Sequence, residues 1–295
     1  TARVAAGLEI IREMAHLVVV DLYGSLLWEN RLHLPFCKSE EYFDTLCQWV
    51  ENQLHTLQVD QSHLLGIGIS IQGLVAPDGI SIVFSPLQEG VMLTDFSARL
   101  SYPCVMIHDV EAAAAAEIWY QPDLKDAVYI SLNRNMGGAL IVNGAVHTGS
   151  HYSSATVEHM CIHPKGRKCY CGKQGCLEVY CSALALQQDA DENAEQFFFN
   201  LRLGRQKETS IWEEYLRNLA LAIDNMRMVI RSDILIGGYL QSYMTPEDIE
   251  KIKQYVHEQT FFKVDDLHIK SSLCGEKATA IGCALHYIKQ FLQSV

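Results

Sequence analysis

Between His159 and Glu178 the chain reads His-Met-Cys-Ile-His-Pro-Lys-Gly-Arg-Lys-Cys-Tyr-Cys-Gly-Lys-Gln-Gly-Cys-Leu-Glu. Cys169, Cys171 and Cys176 fall close together, with Gly172 and Gly175 between the last two. Glycine lets a short loop fold back so that several sulfurs converge on one point. Thiolates with one imidazole are the ligand set that Zn²⁺ takes in closed tetrahedral sites. His159, upstream of Cys169, completes a Cys₃His set. Cys161, His163 and Cys181 compete for the same role on spacing alone. The bland reading is a cluster of free thiols or a local disulfide, but a Cys-x-Cys bridge is strained by its short separation. The stretch therefore predicts one structural Zn²⁺ on His159, Cys169, Cys171 and Cys176.

The rest of the chain sets the context for that site. Its 295 residues, 49% hydrophobic and 20% charged, suffice for a large core in two domains. A net charge of −12 argues against this segment gripping nucleic acid by itself, because phosphate contact needs a basic face. Beyond the clustered cysteines, Cys37, Cys47, Cys104, Cys274 and Cys283 are scattered rather than paired. No signal-peptide pattern opens the chain and no apolar run has bilayer-spanning length, so a reducing cytoplasm and no membrane are expected. The first residue is Thr1, followed at once by an apolar stretch, which fits further sequence upstream.

Taken in order, residues 5–11, 17–22 and 26–34 read as three strands, and 41–57 as a helix capped by Ser39. Strands are expected at 66–71 and 105–108, and a helix over the alanine-rich 110–119. The pattern then restarts. Residues 128–132 and 139–142 are strand-like, and Asn143-Gly144 signals a hairpin into Val146-His147. The metal stretch enters a helix near Leu177, and 186–209 reads as a polar excursion with one short helix. Ser210-Ile-Trp-Glu213 matches a capping box that would open a long helix to about Arg231. A strand at 233–236 ends in Gly237-Gly238, Thr245-Pro246 opens another helix, and a last amphipathic helix covers 277–292.

Four blocks together resemble the ROK family, whose name joins repressors, open reading frames and sugar kinases. They are Gly66-Ile-Gly-Ile-Ser-Ile-Gln-Gly73, Asp109-Val-Glu-Ala-Ala-Ala, the element from His159 through Cys-x-Cys-Gly-x-x-Gly-Cys-Leu-Glu178, and Ile234-Leu-Ile-Gly-Gly238. The resemblance implies an α/β, actin-like (ribonuclease-H-like) two-lobed duplicated fold with a sugar in the interlobe cleft. The expected lobes are 1–120, with the final helix 277–295 packing back on it, and a larger 121–276 carrying the zinc loop 159–178. By the same resemblance, Asp109 holds the position of the family's catalytic aspartate, although aspartate is also a common helix N-cap. His159 and Glu178 match residues that face the sugar, and Gly73 lies in a ligand-facing turn. The family's asparagine before the aspartate is His108 here, and its Glu-x-Gly-His element reads Thr156-Val157-Glu158-His159. A pocket of His108, Asp109, Thr156, His159 and Glu178 can still pair polyol hydroxyls, with a preference altered from an ordinary glucose or N-acetylglucosamine site.

Phosphate handling departs from the family. Its kinases carry an Asp-x-Gly-Gly-Thr turn between the first two strands, where this chain has Glu9-Ile-Ile-Arg-Glu13. Isoleucine at 10 and 11 obstructs both the backbone approach and the positive φ that glycine permits. The second turn, Gly-Thr-Gly in the family, reads Asn133-Arg134-Asn135. Two lost turns point away from ATP/Mg²⁺ chemistry. Arg12 and Arg134 are ordinary surface arginines or anion-binding replacements for the lost amides, with Glu9 and Glu13 flanking Arg12 as partners. The expected function is a sugar-sensing regulator, or its effector domain, answering to a sugar or sugar phosphate. DNA would be reached only through an N-terminal winged helix-turn-helix that this sequence lacks, and family precedent favours a homodimer. The alternatives are an ATP-dependent hexose or N-acetylhexosamine kinase with atypical loops, and a catalytically dead binding protein.

Overall fold

The computed structural model describes residues 3–57, 62–76, 78–85, 88–152, 154–262 and 267–295, so Thr1 lies outside the described residues. Two compact units are present: residues 1–122, 148–153 and 277–295 form the first, and 123–147 with 154–276 the second.

The first unit opens with an antiparallel meander of β1 (Val4–Ile11), β2 (Met14–Asp21) and β3 (Leu26–His33). Ile11 pairs with Met14, so β1 runs through the isoleucines and leaves only Arg12-Glu13 as the turn. Helix α1 (Glu40–Thr56) begins as its sequence predicts, the Ser39 hydroxyl accepting the Tyr42 amide at 3.2 Å. Its apolar stripe, including Phe43, Leu46, Val50 and Leu54, is buried against the sheet. Strand β4 (Leu64–Ile71) returns parallel to β1, a short hairpin of β5 (Leu74–Val75) and β6 (Ile82–Phe84) follows, and the one-turn α2 (Thr94–Ser97) leads to β7 (Cys104–His108). Helix α3 (Asp109–Tyr120) then departs directly from the end of β7.

The second unit repeats the plan with β8 (Ala127–Ser131), β9 (Gly137–Val142) and β10 (Ala145–His147). Asn143 and Gly144 both take positive φ, 54° and 73°, as a two-residue primed turn requires. After the metal stretch come α4 (Glu178–Cys181), α5 (Ala183–Ala190), α6 (Ala194–Arg202) and α7 (Gln206–Arg227). Strand β11 (Asp233–Gly237), helix α8 (Pro246–Gln259) and strand β12 (Ile269–Ser271) complete it. The sheet orders are β3-β2-β1-β4-β7 and β10-β9-β8-β11-β12, one topology used twice.

The last helix, α9 (Ala278–Ser294), belongs to the first unit and covers the sheet face opposite α1. Two glycines let it approach closely. A Cβ on Gly7 of β1 would lie 1.8 Å from the Ala280 carbonyl oxygen, and one on Gly282 only 1.7 Å from that of Ala112 in α3. With helices on both faces, β1 is buried along nearly its whole length and reads as a continuous apolar run rather than an alternating one.

Two expectations about the middle of the chain are corrected. Residues 186–209 hold the end of α5, all of α6 and the start of α7 rather than one short helix. Ser210 is inside α7, which starts at Gln206, so the capping-box match over 210–213 does not mark a helix end. Nothing in Gln-Lys-Glu-Thr at 206–209 stops a helix, and the buried Glu208 and Trp212 hold that first turn against the core. Beside it, Phe198 of α6 packs edge-on to Trp212 at 4.9 Å. Strand β12 was not anticipated, because three residues with one buried side chain carry no readable period.

Candidate functional site

In the second unit the metal stretch folds as a knuckle. Cys161 bridges Cys176 and Lys168 bridges Gln174 across two short antiparallel ladders. Gly175 sits at φ 78°, and a Cβ there would be 1.8 Å from the His163 carbonyl oxygen, so only glycine closes the loop. His159 ends the 3₁₀ turn 157–159, and Lys173 holds its carbonyl at 2.8 Å. One ligand atom from each of His159, Cys169, Cys171 and Cys176 lies within 4.8 Å of all the others.

Their spacing suits a tetrahedral ion. The Cys171 and Cys176 sulfurs are 3.7 Å apart, far beyond a disulfide and close to the separation of about 3.8 Å that Zn–S bonds of about 2.3 Å demand. The Cys169 sulfur and His159 Nδ1 are also 3.7 Å apart. Burial, together with the Lys173 charge, holds the His159 imidazole below its usual pKa, in the neutral form that ligates. Burial and the neighbouring sulfurs push the Cys176 thiol up to about 12, and a bound cation would take over the place of its proton. The competing candidates are engaged elsewhere. Cys161 is exposed and donates to the Gln174 carbonyl at 3.4 Å, His163 Nε2 meets Asn218 Oδ1 at 2.7 Å, and Cys181 is buried against the Tyr215 carbonyl at 3.6 Å.

Glu178 opens α4 just beyond the knuckle and is almost fully buried. Its two oxygens accept the Asn135 side-chain amide at 2.8 Å and the Met136 backbone amide at 2.7 Å. Burial pushes its carboxyl up to about 7 against those two bonds. The loop it braces is the Asn133-Arg134-Asn135 segment. Asn133 accepts the Tyr239 amide at 2.7 Å on its side chain and the Ala183 amide at 2.9 Å on its carbonyl. Arg134 is half-buried, with a buried Nε that has no hydrogen-bond partner among the described residues. Thr156 precedes the turn that ends in His159.

The first unit supplies the other predicted residues. Asp109 is the first residue of α3 rather than its cap, and its Oδ1 accepts the Val110 amide at 2.9 Å. His108 Nε2 stands 3.5 Å from that oxygen, with Nδ1 3.8 Å from Glu111. Burial raises the Asp109 carboxyl above the usual range, opposed by His108. Gly73 is closely covered, since a Cβ would meet the Phe84 carbonyl oxygen at 2.7 Å. Arg12 is exposed in the β1–β2 turn, 3.8 Å from Glu13.

Glu9 does not serve Arg12. It points into the unit, 3.7 Å from the buried His16, whose other nitrogen is 3.2 Å from Glu29. Glu29 in turn accepts from Lys277 at 2.6 Å. Sequence reasoning missed this chain of charges because β1 and β2 must be paired before Glu9 and His16 become opposite partners.

A protein-family model described as the ROK family matches residues 5–290. The chain belongs to the ROK family. Its ROK relatives include both repressors and kinases. The xylose repressor of Caldicellulosiruptor bescii is 20% identical over 97% of this chain and 78% of its own length. The N-acetyl-D-glucosamine kinase of Salmonella newport is 26% identical over 85% of this chain and 89% of its own. With the Escherichia coli regulator NagC, 25% identical, the match spans 47% of that protein's length. Among solved structures, a ROK glucokinase from Streptomyces griseus aligns with a TM-score of 0.84 at 21% identity, over 96% of this chain and 98% of that one. The likeness bears out the α/β, actin-like duplicated fold that the ROK motifs imply. No helix among the described residues is long and apolar enough to cross a membrane.

Proposed function

We propose that this ROK chain is the sugar-sensing effector portion of a transcriptional regulator, stiffened by a structural Zn²⁺. The observation that carries the reading is the β1–β2 connection. The strand ladder runs unbroken to Ile11, leaving the two-residue turn Arg12-Glu13 with no glycine to give a phosphate close approach to the backbone. The Asn133–Met136 segment supports it, because the Asn133 and Asn135 side chains and the Met136 amide are already engaged with Tyr239 and Glu178. A ligand set that keeps carboxylates and imidazoles but loses its phosphate turns suits binding rather than phosphoryl transfer.

In this reading His159, Cys169, Cys171 and Cys176 hold the zinc. With four protein ligands it supplies no open position and serves only to fix the loop. Asp109 and His108 offer an acceptor and a donor for sugar hydroxyls, and Thr156 and His159 offer further pairing groups. Arg12 of the first unit and Arg134 of the second are each a cationic group available to a phosphorylated effector. DNA contact would come from a winged helix-turn-helix on the full gene product, acting in a cytoplasmic homodimer.

Calorimetry with a panel of hexoses, pentoses, N-acetylhexosamines and their phosphates, run beside an ATP-consumption assay, tests the reading. Saturable sugar binding without turnover is the expected result. The second reading, a sugar kinase, is favoured by Asp109 at the β7–α3 junction with its raised carboxyl. Turnover that disappears in Asp109→Asn would establish that reading instead.

A further inference from the structure

The second unit holds a cavity of about 190 Å³ that uses neither the metal ligands nor any predicted sugar contact. It lies where the metal knuckle is fastened to α5 and α7. Arg167, from the knuckle, pairs with Asp189 of α5 at 2.8 Å, and its guanidinium lies 4.8 Å over the Tyr180 ring. Leu186 and Tyr215, both buried, and Ile211 give the otherwise polar lining some apolar and aromatic surface. Asn218, only 6% exposed, also lines the cavity. Its Oδ1 is taken by His163 Nε2 at 2.7 Å, and its amide NH₂ has no hydrogen-bond partner among the described residues. That donor is available to a ligand oxygen in the cavity. Glu214, on the exposed side of α7, lines the same cavity with a carboxylate that makes no ion pair among the described residues.

We infer that this cavity is a binding site for a single neutral sugar ring. Pyranose chemistry answers every feature of the lining. Hydroxyls donate to Glu214 and Asp189 and accept from Asn218 and the remaining guanidinium N–H groups, while the C–H face of the ring lies on aromatic wall. An anion would face two carboxylates against one arginine, and a dication would face that arginine. The volume is below the range of about 300–1,000 Å³ typical of drug-sized ligands, which suits one ring rather than an oligosaccharide. The site does not rest on the regulator reading, since a kinase with this chain would carry it equally. Because Arg167 and His163 both belong to the metal knuckle, a sugar seated here would clamp the knuckle to α5 and α7.

Methyl- and amide-detected NMR on the zinc-loaded chain tests the site, with glucose, xylose, N-acetylglucosamine and glucose 6-phosphate as probes. At least one neutral sugar should give saturable shifts at the Leu186 and Ile211 methyls and the Asn218 side-chain amide. Half-saturation should weaken about tenfold in Glu214→Gln, whose exposed position spares the fold, and the shifts should vanish in Asn218→Leu. They should persist in a His108→Ala, Asp109→Ala double variant, which separates this site from the proposed effector set. Absence of saturable shifts with every neutral sugar would overturn the inference. So would unchanged half-saturation in Glu214→Gln, stronger binding of the phosphate, or loss of the shifts in the double variant.

Discussion

Cys171 is where the metal proposal meets its sharpest test. Replacing one of the three thiolates leaves an incomplete tetrahedron, so elemental analysis should give one zinc per chain in the parent and none in Cys171→Ser. The expected cost is at least about 2 kcal/mol, a fall in Tm of about 4–8 °C. Cys161→Ser should keep both metal and Tm, because that sulfur is exposed and turned to the Gln174 carbonyl. The three cysteines were legible from spacing alone. Their discrimination from Cys161, His163 and Cys181 was not, since seven candidate ligands in one loop can converge in several ways until the backbone ladders set their directions. Glu178 shows the same limit. Its sequence position marks a ligand-facing carboxylate, whereas its oxygens brace Asn135 and Met136.

At the scale of elements, the junction of α7 and α8 depends on Asp248. Its carboxylate accepts the Trp212 indole at 2.8 Å and the Thr245 amide at 2.8 Å, and pairs with Arg202 at 3.2 Å. Burial pushes its pKa up, but these partners outweigh burial and hold it below the ordinary carboxylate range. A depressed native pKa means stability that is present above the unfolded value and lost as pH falls through the folded one. Asp248→Ala should cost about 2–3 kcal/mol by urea unfolding at pH 7, and should shrink the acid-side loss of stability. The packing of α9 offers a second test. Gly282→Ala drives a Cβ into the Ala112 carbonyl and should cost about 1–3 kcal/mol, read as a lower Tm with the metal retained. Helix α8 was legible because Thr245, Pro246 and Asp248 act within one turn. The start of α7 was not, because a four-residue capping match cannot outweigh tertiary burial of the turn before it.

At the scale of the whole chain, a net charge of −12 sets what this polypeptide does alone. Fluorescence anisotropy with duplex DNA at low salt should show no binding by residues 1–295, because phosphate contact needs a basic face. The amino-acid sequence by itself determined the strand and helix periods, the loss of glycine at 10–13 and the gathering of thiols near Gly172 and Gly175. These are local properties, set by alternation, turn chemistry and φ freedom within a few residues. Tertiary structure alone decided that Glu9 answers His16 rather than Arg12, and that Asn218 meets His163 at the edge of a cavity. Each of those outcomes joins residues that are neighbours only after strands pair and helices pack, and no period within a single element encodes the partner.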